Sequence, residues 1–289
     1  MRIAFIGLGR MGWHLAGHLA AAGHELSVFD IDPDAGARWA AEFTGTAASS
    51  IEEAVRDCSV VCSSVPADPQ LRAIWDATQG SLADGAIWID HSTTSAEIAR
   101  ELAAEAAATG RAFVDAPVSG GTVGAENGKL AVMAGGDAVA WETASQVVAA
   151  YAARANLIGG PGAGQLTKMA NQICVVGVGQ ALAEGLVFAE QSGLDPRKVL
   201  EVMLTGSSTS WMMENRAEQM IAGEFDFGFS TTLMRKDLSL VLDEADRTGE
   251  ELPVTALVAD LLDEVDEMGG AAWDWCSLMQ RQRRAVENG

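Results

Sequence analysis

Cysteine is scarce in this chain, and the few cysteines present show no pattern. Only four occur among 289 residues, and none has a partner at the spacing of a metal site or a redox pair. They are Cys58, Cys62, Cys174 and Cys276. We interpret them as reduced thiols in the core. Histidine is equally scarce: His14 and His18 share a helix face but lack a third ligand, so no metal site is predicted.

Positive charge is also scarce, with 19 Lys and Arg against 40 Asp and Glu and a net charge of -21. A surface this acidic repels phosphate backbones and anionic lipids, which excludes nucleic acid and membranes as partners. No cationic segment followed by an apolar run marks a signal peptide. The long apolar run over 173–189 contains Gln180 and Glu184, which favours a buried helix over a membrane span. We therefore expect a cytoplasmic protein.

The order of strand and helix patterns predicts two domains. Strand patterns over 2–6, 25–29, 59–65, 86–90 and 112–115 alternate with helical ones, which is typical of a doubly wound parallel sheet. We expect Thr94 to Glu97 to form a capping box, and the segments 130–133 and 155–158 to be edge strands. Past Pro161 the patterns are helical only. The prediction is an α/β domain over 1–161 and an all-α domain over 162–289, joined by a long shared helix.

A glycine-rich turn lies between the first strand and the first helix. It reads Gly7-Leu8-Gly9-Arg10-Met11-Gly12, and the second strand ends at Asp30, eighteen residues later. This arrangement predicts a dinucleotide site in which Asp30 binds the adenosine ribose. A carboxylate there repels a 2′-phosphate, so NAD is favoured over NADP, and Asp32 adds to that preference. The alternative is that Asp30 only caps the next helix.

Two further segments follow the strands with residues suited to a small carboxylate substrate. Ser119, Gly120 and Gly121 offer one hydroxyl and backbone N–H groups, a nest for a carboxylate; the alternative is an ordinary loop. Farther on, Lys168 and Asn171 share a face near the start of a helix. The positive end of that helix should lower the pKa of the lysine, as an acid/base group requires. A solvated lysine is the alternative.

Lys236 lies on a helical segment predicted over 231–245 and, like its neighbour Asp237, off the apolar stripe of that segment. From there it is placed either to close over a nicotinamide or to remain solvated, and the spacing does not decide between the two.

In combination these segments resemble the β-hydroxyacid dehydrogenase family along the whole chain. The matching motifs occur in order: 7–12 for the nucleotide, 115–121 for the substrate, 162–171 for catalysis and 236–238 for closure over the cofactor. The resemblance implies a Rossmann-like first domain, a helical second domain, and a homodimer or homotetramer. It further implies that Lys168 is the catalytic acid/base and that Asn171 orients the substrate. The positions that would line the NAD site are Val65, Pro66, Gln70 and Thr93.

The resemblance implies an NAD-dependent dehydrogenase of a short 3-hydroxy acid, and we expect 3-hydroxyisobutyrate to be oxidised to methylmalonate semialdehyde. Some residues depart from that pattern. Val65-Pro66 replaces the usual Leu-Pro, and Asn171-Gln172 replaces two asparagines. Asn171-Gln172 and the segment 210–215 look more like tartronate semialdehyde (2-hydroxy-3-oxopropionate) reductases, so that activity, or another short-chain semialdehyde reduction, is the alternative.

Three other functions fit less well. A 6-phosphogluconate dehydrogenase is much longer and has more basic residues for phosphate. Imine reductases share the architecture but typically lack the lysine. Non-catalytic relatives that engage chromatin lose the lysine as well, and the acidic charge of this chain opposes that role.

Overall fold

The computed structural model describes residues 1–287 and divides the chain into two compact units, Met1–Lys168 and a second beginning at Met169. The strands are β1 (Arg2–Ile6), β2 (Glu25–Phe29), β3 (Thr46–Ala47), β4 (Val60–Ser63), β5 (Ile87–Asp90), β6 (Ala112–Asp115), β7 (Val118–Ser119), β8 (Leu130–Gly135) and β9 (Ala152–Gly159). The helices of the first unit are α1 (Gly12–Ala21), α2 (Pro33–Glu42), α3 (Ile51–Val55), α4 (Asp68–Thr78), α5 (Ala96–Ala108), α6 (Gly121–Glu126) and α7 (Ala138–Val148). Helix α8 (Ala163–Gln191) begins in the first unit and continues into the second. The helices that follow are α9 (Pro196–Met203), α10 (Trp211–Ala222), α11 (Thr231–Thr248), α12 (Pro253–Val265) and α13 (Leu278–Glu287).

The first unit is built on one nine-stranded sheet in the order β3-β2-β1-β4-β5-β6-β8-β7, with β9 paired to β8. From β3 to β6 every pairing is parallel, which brings the carboxyl ends of these strands to one edge. Alternate residues of β1 enter separate cores on the two faces: Ile3 and Phe5 on one, Ala4 and Ile6 on the other. The prediction of a Rossmann-like, doubly wound α/β domain is confirmed.

The far side of this sheet corrects the prediction of a wholly parallel sheet. β8 pairs antiparallel with both β6 and β7, because only β7 and the six-residue α6 separate it from β6, too little for a full crossover helix. β8 is also not an edge strand, since it pairs parallel with β9 on the far side of the crossover helix α7.

The start of α5 also differs from the prediction. Its N-cap is Ser95, whose Oγ accepts the N–H of Ile98 at 3.1 Å. Asp68 holds Ser95 in turn, with its Oδ2 2.5 Å from the Ser95 Oγ. The expected Thr94–Glu97 capping box is therefore wrong by one residue, because Asp68, a long-range partner, fixes where this helix begins.

The second unit is helical, and all nine strands of the described residues lie before residue 160. Side-chain caps start three of its helices as local sequence suggests: Asp195 caps α9, Ser210 caps α10 and Ser230 caps α11. Its core is one apolar cluster that includes Val176, Leu186, Met213, Leu238 and Trp275. The expectation of an all-α second domain is confirmed.

Helix α8 is the longest of the described helices, with 29 residues. Among residues 1–287 it alone is long and apolar enough to cross a membrane, and 50% of its most apolar window is buried inside the protein. Cys174 is exposed on this helix, so the interpretation of all four cysteines as core thiols is wrong for this one.

Glycine has a packing role at one position of α8. A Cβ at Gly179 would lie 2.3 Å from the ring of Trp275, whereas no atom of the described residues lies within 4 Å of one at Gly177. We expect Gly179→Ala to lower the free energy of unfolding by about 1–3 kcal/mol through overpacking. Gly177→Ala is the matched control and should raise it by about 0.5–1 kcal/mol, as alanine does in an open helix position. Urea denaturation of both variants tests this, and equal shifts would contradict the packing.

Candidate functional site

The glycine-rich loop between β1 and α1 uses its three glycines differently. Gly7 has a φ of +93°, and a Cβ there would lie 2.2 Å from the carbonyl oxygen of Ser64. A Cβ at Gly12 would lie 1.9 Å from the carbonyl oxygen of Gly7. Both glycines are therefore required by the protein's own backbone. Nothing in the described chain lies within 4 Å of a Cβ at Gly9, so the backbone there is open to a ligand.

The start of α1 fits the phosphates of a dinucleotide. Met11 is its N-cap and makes no side-chain cap hydrogen bond within residues 1–287, and the first turn contains no acidic residue. An uncapped helix N-terminus attracts anions through its N–H groups and its dipole. Leu8 is buried, while Arg10 is exposed beside the open Gly9. The residues present thus fit a pyrophosphate at this loop.

Asp30 lies at the carboxyl end of β2 and contacts the glycine-rich loop directly. Its Oδ2 accepts the N–H of Leu8 at 2.6 Å, and its Oδ1 accepts the N–H of Asp32 at 2.9 Å. The cap of α2 is Asp32, whose carboxylate accepts the N–H of Asp34. The alternative role of Asp30 as a helix cap is therefore wrong.

The other residues expected along the coenzyme site follow β4 and β5. Val65 and Pro66 follow β4, Gln70 is exposed on α4, and Thr93 lies in the loop after β5. The Oγ of Ser92 accepts the N–H of Val65 at 2.9 Å, which ties the two loops together. The loops that contain Val65, Pro66 and Thr93 thus lie at the same sheet edge as the glycine-rich loop, and Gln70 lies near the start of the helix that follows β4.

A buried carboxylate that the sequence analysis missed organises these loops. Asp90, the last residue of β5, accepts hydrogen bonds at Oδ1 from Ser63 Oγ (2.6 Å) and Ser92 Oγ (2.7 Å). Its complete burial raises the pKa of the Asp90 carboxyl to about 6, although the two hydroxyl donors oppose the shift. An aspartate at the end of an apolar strand is the sequence signal for such a group.

A second buried carboxylate, Asp115, holds the beginning of α8. Its Oδ1 accepts the N–H of Gly162 at 2.8 Å, and its Oδ2 accepts the N–H of Gln165 at 3.0 Å. A Cβ at Gly164 would lie 2.5 Å from the Asp115 carbonyl oxygen, so glycine is needed for this close approach. Burial raises the pKa of the Asp115 carboxyl to about 7, against the opposing effect of these N–H donors.

Lys168 lies six residues from Gly162 along the same stretch of chain and is 8% exposed. Its Nζ donates to the carbonyl oxygen of Val118 at 3.0 Å. The alternative of a solvated lysine is therefore wrong. The segment that runs from Asp115 to Val118 contacts both the beginning of α8 and the amine of Lys168.

The predicted carboxylate nest comes directly after Val118. Ser119 ends β7 and is partly buried, while Gly120 and Gly121 are exposed with φ of +131° and +62°. Two successive positive φ values explain the glycine pair. The amine of Lys168 therefore contacts the strand from which the nest begins, since Val118 and Ser119 are neighbours in β7.

His91, to which the sequence assigned no role, is buried behind the site. Its Nδ1 lies 2.8 Å from the Ala116 carbonyl oxygen, and its Nε2 lies 2.8 Å from the hydroxyl of Tyr151. Because a carbonyl only accepts, Nδ1 carries the proton, and Nε2 of the neutral ring accepts from the tyrosine. Burial lowers the pKa of His91 to about 4.

The second unit contains the other predicted site residues, Asn171 and Lys236, and two side chains whose contact the sequence did not predict connect them. Asn171 Nδ2 donates to Gln172 Oε1 (2.9 Å), and Gln172 Nε2 donates to Asp237 Oδ2 (2.7 Å). Lys236 Nζ lies 2.8 Å from Asp237 Oδ1. Asp237 is buried among apolar residues of α11, so its expected place off the apolar stripe is wrong. No group of three or more potential metal ligands occurs in residues 1–287.

Two family models match consecutive parts of the chain. Residues 2–160 match the NAD-binding domain of 6-phosphogluconate dehydrogenase, and residues 162–281 match the NAD-binding domain of NADP-dependent 3-hydroxyisobutyrate dehydrogenase. The chain therefore contains NAD(P)-binding domains. The two matches meet at residue 161, next to the glycine that precedes α8.

Three known proteins are similar over nearly the whole length. An uncharacterized oxidoreductase of Shewanella frigidimarina is 46% identical, covering 98% of this chain and 99% of its own. The 2-hydroxy-3-oxopropionate reductase of Escherichia coli is 36% identical, covering 97% and 96%. The solved structure described as Mycobacterium tuberculosis 3-hydroxyisobutyrate dehydrogenase with L-serine is 32% identical, with a TM-score of 0.89 and coverage of 98% and 99%.

Because burial lowers the pKa of His91, we expect the folded protein to lose stability in acid. Between pH 6.5 and about 4 the unfolded chain binds a proton at His91 while the folded chain does not, so stability falls as pH falls. His91→Gln can keep both hydrogen bonds without titrating. We expect the unfolding free energy of the wild type, relative to this variant, to drop by about 3 kcal/mol over that range.

Thermal or urea unfolding at several pH values measures this difference. Asp90 and Asp115 act in the opposite sense, because their raised pKa values favour the folded state in acid. Their contributions cancel in the comparison, since both proteins contain them. Parallel curves for wild type and variant would show that His91 is not held neutral.

Proposed function

We propose, from the premise that this chain belongs to the β-hydroxyacid dehydrogenase family, that it oxidises a short 3-hydroxy acid with NAD. 3-Hydroxyisobutyrate, oxidised to methylmalonate semialdehyde, is the first candidate substrate. The observation that carries the proposal is the position of the buried Lys168 amine. It donates to the carbonyl oxygen of Val118, and Val118 directly precedes the Ser119–Gly121 nest in sequence.

In this proposal the residues of the chain hold the substrate and move one proton. Ser119 and the N–H groups of Gly120 and Gly121 bind the carboxylate. Neutral Lys168 takes the proton of the C3 hydroxyl, and Asn171 orients that hydroxyl. Bound NAD supplies the acceptor for the hydride that leaves C3. In the reverse direction the protonated amine of Lys168 donates to the carbonyl oxygen.

The substrate class is supported by the chemistry of the relatives' ligands. L-serine, named with the Mycobacterium tuberculosis structure, and 2-hydroxy-3-oxopropionate, named for the Escherichia coli enzyme, are both three-carbon carboxylates with an oxygen on C3. A nest for the carboxylate and an amine for the C3 oxygen suit both compounds. The second candidate function is reduction of 2-hydroxy-3-oxopropionate (tartronate semialdehyde), which the Asn171-Gln172 pair favours.

The coenzyme proposal rests on Asp30. Its carboxylate contacts Leu8 of the glycine-rich loop, and Asp32 follows two residues later. Two carboxylates at the end of β2 repel the 2′-phosphate of NADP, whereas a carboxylate accepts hydrogen bonds from the ribose hydroxyls of NAD. We therefore favour NAD over NADP.

We further propose a cytoplasmic homodimer or homotetramer whose partners are small carboxylates and neither nucleic acid nor membrane. The charge of -21 supports the last two points. On α8, Val178 and Phe188 are exposed apolar residues, and nothing in residues 1–287 lies within 4 Å of a Cβ at Gly185. Such an open apolar face supports contact with a second copy.

The role of Lys168 is tested with its alanine variant. Lys168→Ala should leave NADH binding intact and reduce kcat by ~10²–10⁴, the usual contribution of a general acid/base. Exposed Lys198 on α9 is the control, and Lys198→Ala should match the wild type. The assay follows NAD reduction with 3-hydroxyisobutyrate, 3-hydroxypropionate, glycerate and 4-hydroxybutyrate. Near-native turnover of Lys168→Ala would contradict the assignment, and a wild type inactive with every acid would favour an imine reductase or a non-catalytic protein.

Coenzyme preference is tested at Asp30. Asp30→Asn removes the charge while preserving size, and we expect the ratio of kcat/KM for NAD to that for NADP to fall about tenfold or more. Like charges a few ångströms apart near a protein surface repel by several kcal/mol at most, and 1.4 kcal/mol is a factor of ten. Asp84→Asn, an exposed carboxylate before the amino end of β5, is the charge-matched control. An unchanged ratio in Asp30→Asn would contradict the role.

A further inference from the structure

Within the second unit, four polar side chains form one chain of contacts. It runs from Asn171 to Gln172 (2.9 Å), from Gln172 to Asp237 (2.7 Å), and from Asp237 to Lys236 (2.8 Å). The first and last residues are those proposed to touch substrate and coenzyme. The two in the middle are buried and have no role in the proposed reaction so far.

The charge of Asp237 determines the direction of every hydrogen bond in this chain. A carboxylate only accepts, so Gln172 must turn its NH₂ group toward Asp237. Its Oε1 is thereby turned toward Asn171, and an oxygen there accepts only from the NH₂ group of that residue. The Oδ1 of Asn171 then lies on the opposite side of its amide, away from Gln172. An asparagine free to flip would present oxygen and nitrogen interchangeably, which is of little use for orienting a hydroxyl.

The same carboxylate also positions Lys236. Asp237 Oδ2 is used by Gln172, and Oδ1 has no hydrogen bond of acceptable geometry among residues 1–287. The ammonium of Lys236, 2.8 Å away, supplies the counter-charge for Oδ1. A carboxylate this deeply buried is strongly destabilised without such a partner, so each holds the other in place.

We propose that Asp237 is a positioning residue that fixes the orientation of the Asn171 amide through Gln172 and holds Lys236 with its other oxygen. The proposal rests on the proposed function, because it assigns the two ends of the chain to substrate and coenzyme. It gives a chemical reason for glutamine after Asn171: the amide of Gln172 passes the polarity imposed by Asp237 on to its neighbour.

The test moves the negative charge from position 237 to position 172, with Gln172→Glu and Asp237→Asn made singly and together. In Gln172→Glu two carboxylates face each other, and the hydrogen bond between them survives only when the introduced carboxyl group is protonated. We expect kcat to be at least tenfold below wild type at pH 8 and to recover relative to wild type as pH falls.

In the double variant with Asp237→Asn, the introduced amide donates to the ionised carboxylate at position 172, which still accepts from Asn171. We expect kcat of the double variant to return to within about threefold of Asp237→Asn alone, without the added pH dependence.

Different measurements distinguish the roles of the two Asp237 oxygens: NADH binding reports on the oxygen that holds Lys236, and kcat reports on the oxygen that holds Gln172. Loss of the charge at position 237 should weaken NADH binding, measured by fluorescence titration, in both proteins that contain Asp237→Asn. Gln172→Met fills similar space without hydrogen bonds, so it should lose kcat at every pH while binding NADH normally. It also keeps the test decisive if Gln172→Glu fails to fold.

Wild-type kcat in Gln172→Glu at pH 8, or a double variant no better than Gln172→Glu, would overturn the proposal. The urea midpoints of the four proteins of the cycle measure the contact independently of activity. Coupling in the midpoints without coupling in kcat would show a purely structural contact and would also overturn it. If the wild type oxidises none of the acids, the proposed function fails, and the midpoints and NADH affinities still decide whether Asp237 orders these residues.

Discussion

The buried carboxylate of Asp115 is the constraint on which the predicted catalytic lysine depends. It ends β6, and its two oxygens accept the N–H groups of Gly162 and Gln165 at the beginning of α8. A carboxylate at this end of a helix satisfies otherwise unpaired donors and matches the helix dipole. Glycine at 164 lets the helix approach the strand closely, and the carbonyl of Val118, three residues after Asp115, accepts from Lys168. One strand end therefore fixes both the helix and its amine.

This arrangement has a cost in stability. Asp90 and Asp115 are register partners on adjacent strands, both fully buried, and burial raises their pKa values to about 6 and about 7. A carboxyl with a raised folded pKa favours the folded state in acid, and this stabilisation is lost as pH rises from the unfolded pKa, near 4, through the folded value. Both groups therefore contribute less to stability near pH 7 than they do in acid. Costs of this kind concentrate at sites where placement of groups matters more than stability.

The sequence was sufficient for the parts of the fold that depend on local pattern. A strand, a glycine-rich turn, a helix and a second strand ending in Asp30 follow from short-range rules, and β1, α1 and β2 occur there. Ser95 as the cap of α5 depends on Asp68, which is 27 residues away. The interior place of β8 depends on its pairing with β9. Neither the Asp68–Ser95 contact nor this strand pairing is indicated by the sequence around the residues involved.

In the candidate site too, local sequence features could be predicted and long-range contacts could not. Lys168 was identified from its helix and its motif, but its burial at Val118 depends on a strand fifty residues earlier. The contact between Gln172 and Asp237 was not predicted because it joins residues 65 positions apart in sequence. Asp90 was missed for a related reason, since its donors Ser63 and Ser92 belong to two different strand ends. Polar networks of this kind become visible only when distant segments are placed side by side.

The most direct measurement is a crystal structure of the wild-type protein with NAD and a 3-hydroxy acid bound. The account predicts that the Nζ of Lys168 lies about 3 Å from the C3 hydroxyl oxygen, a normal hydrogen-bond distance, with the carboxylate at Ser119 and Gly120. A bound acid whose hydroxyl lies away from Lys168, with that amine directed into solvent, would contradict it.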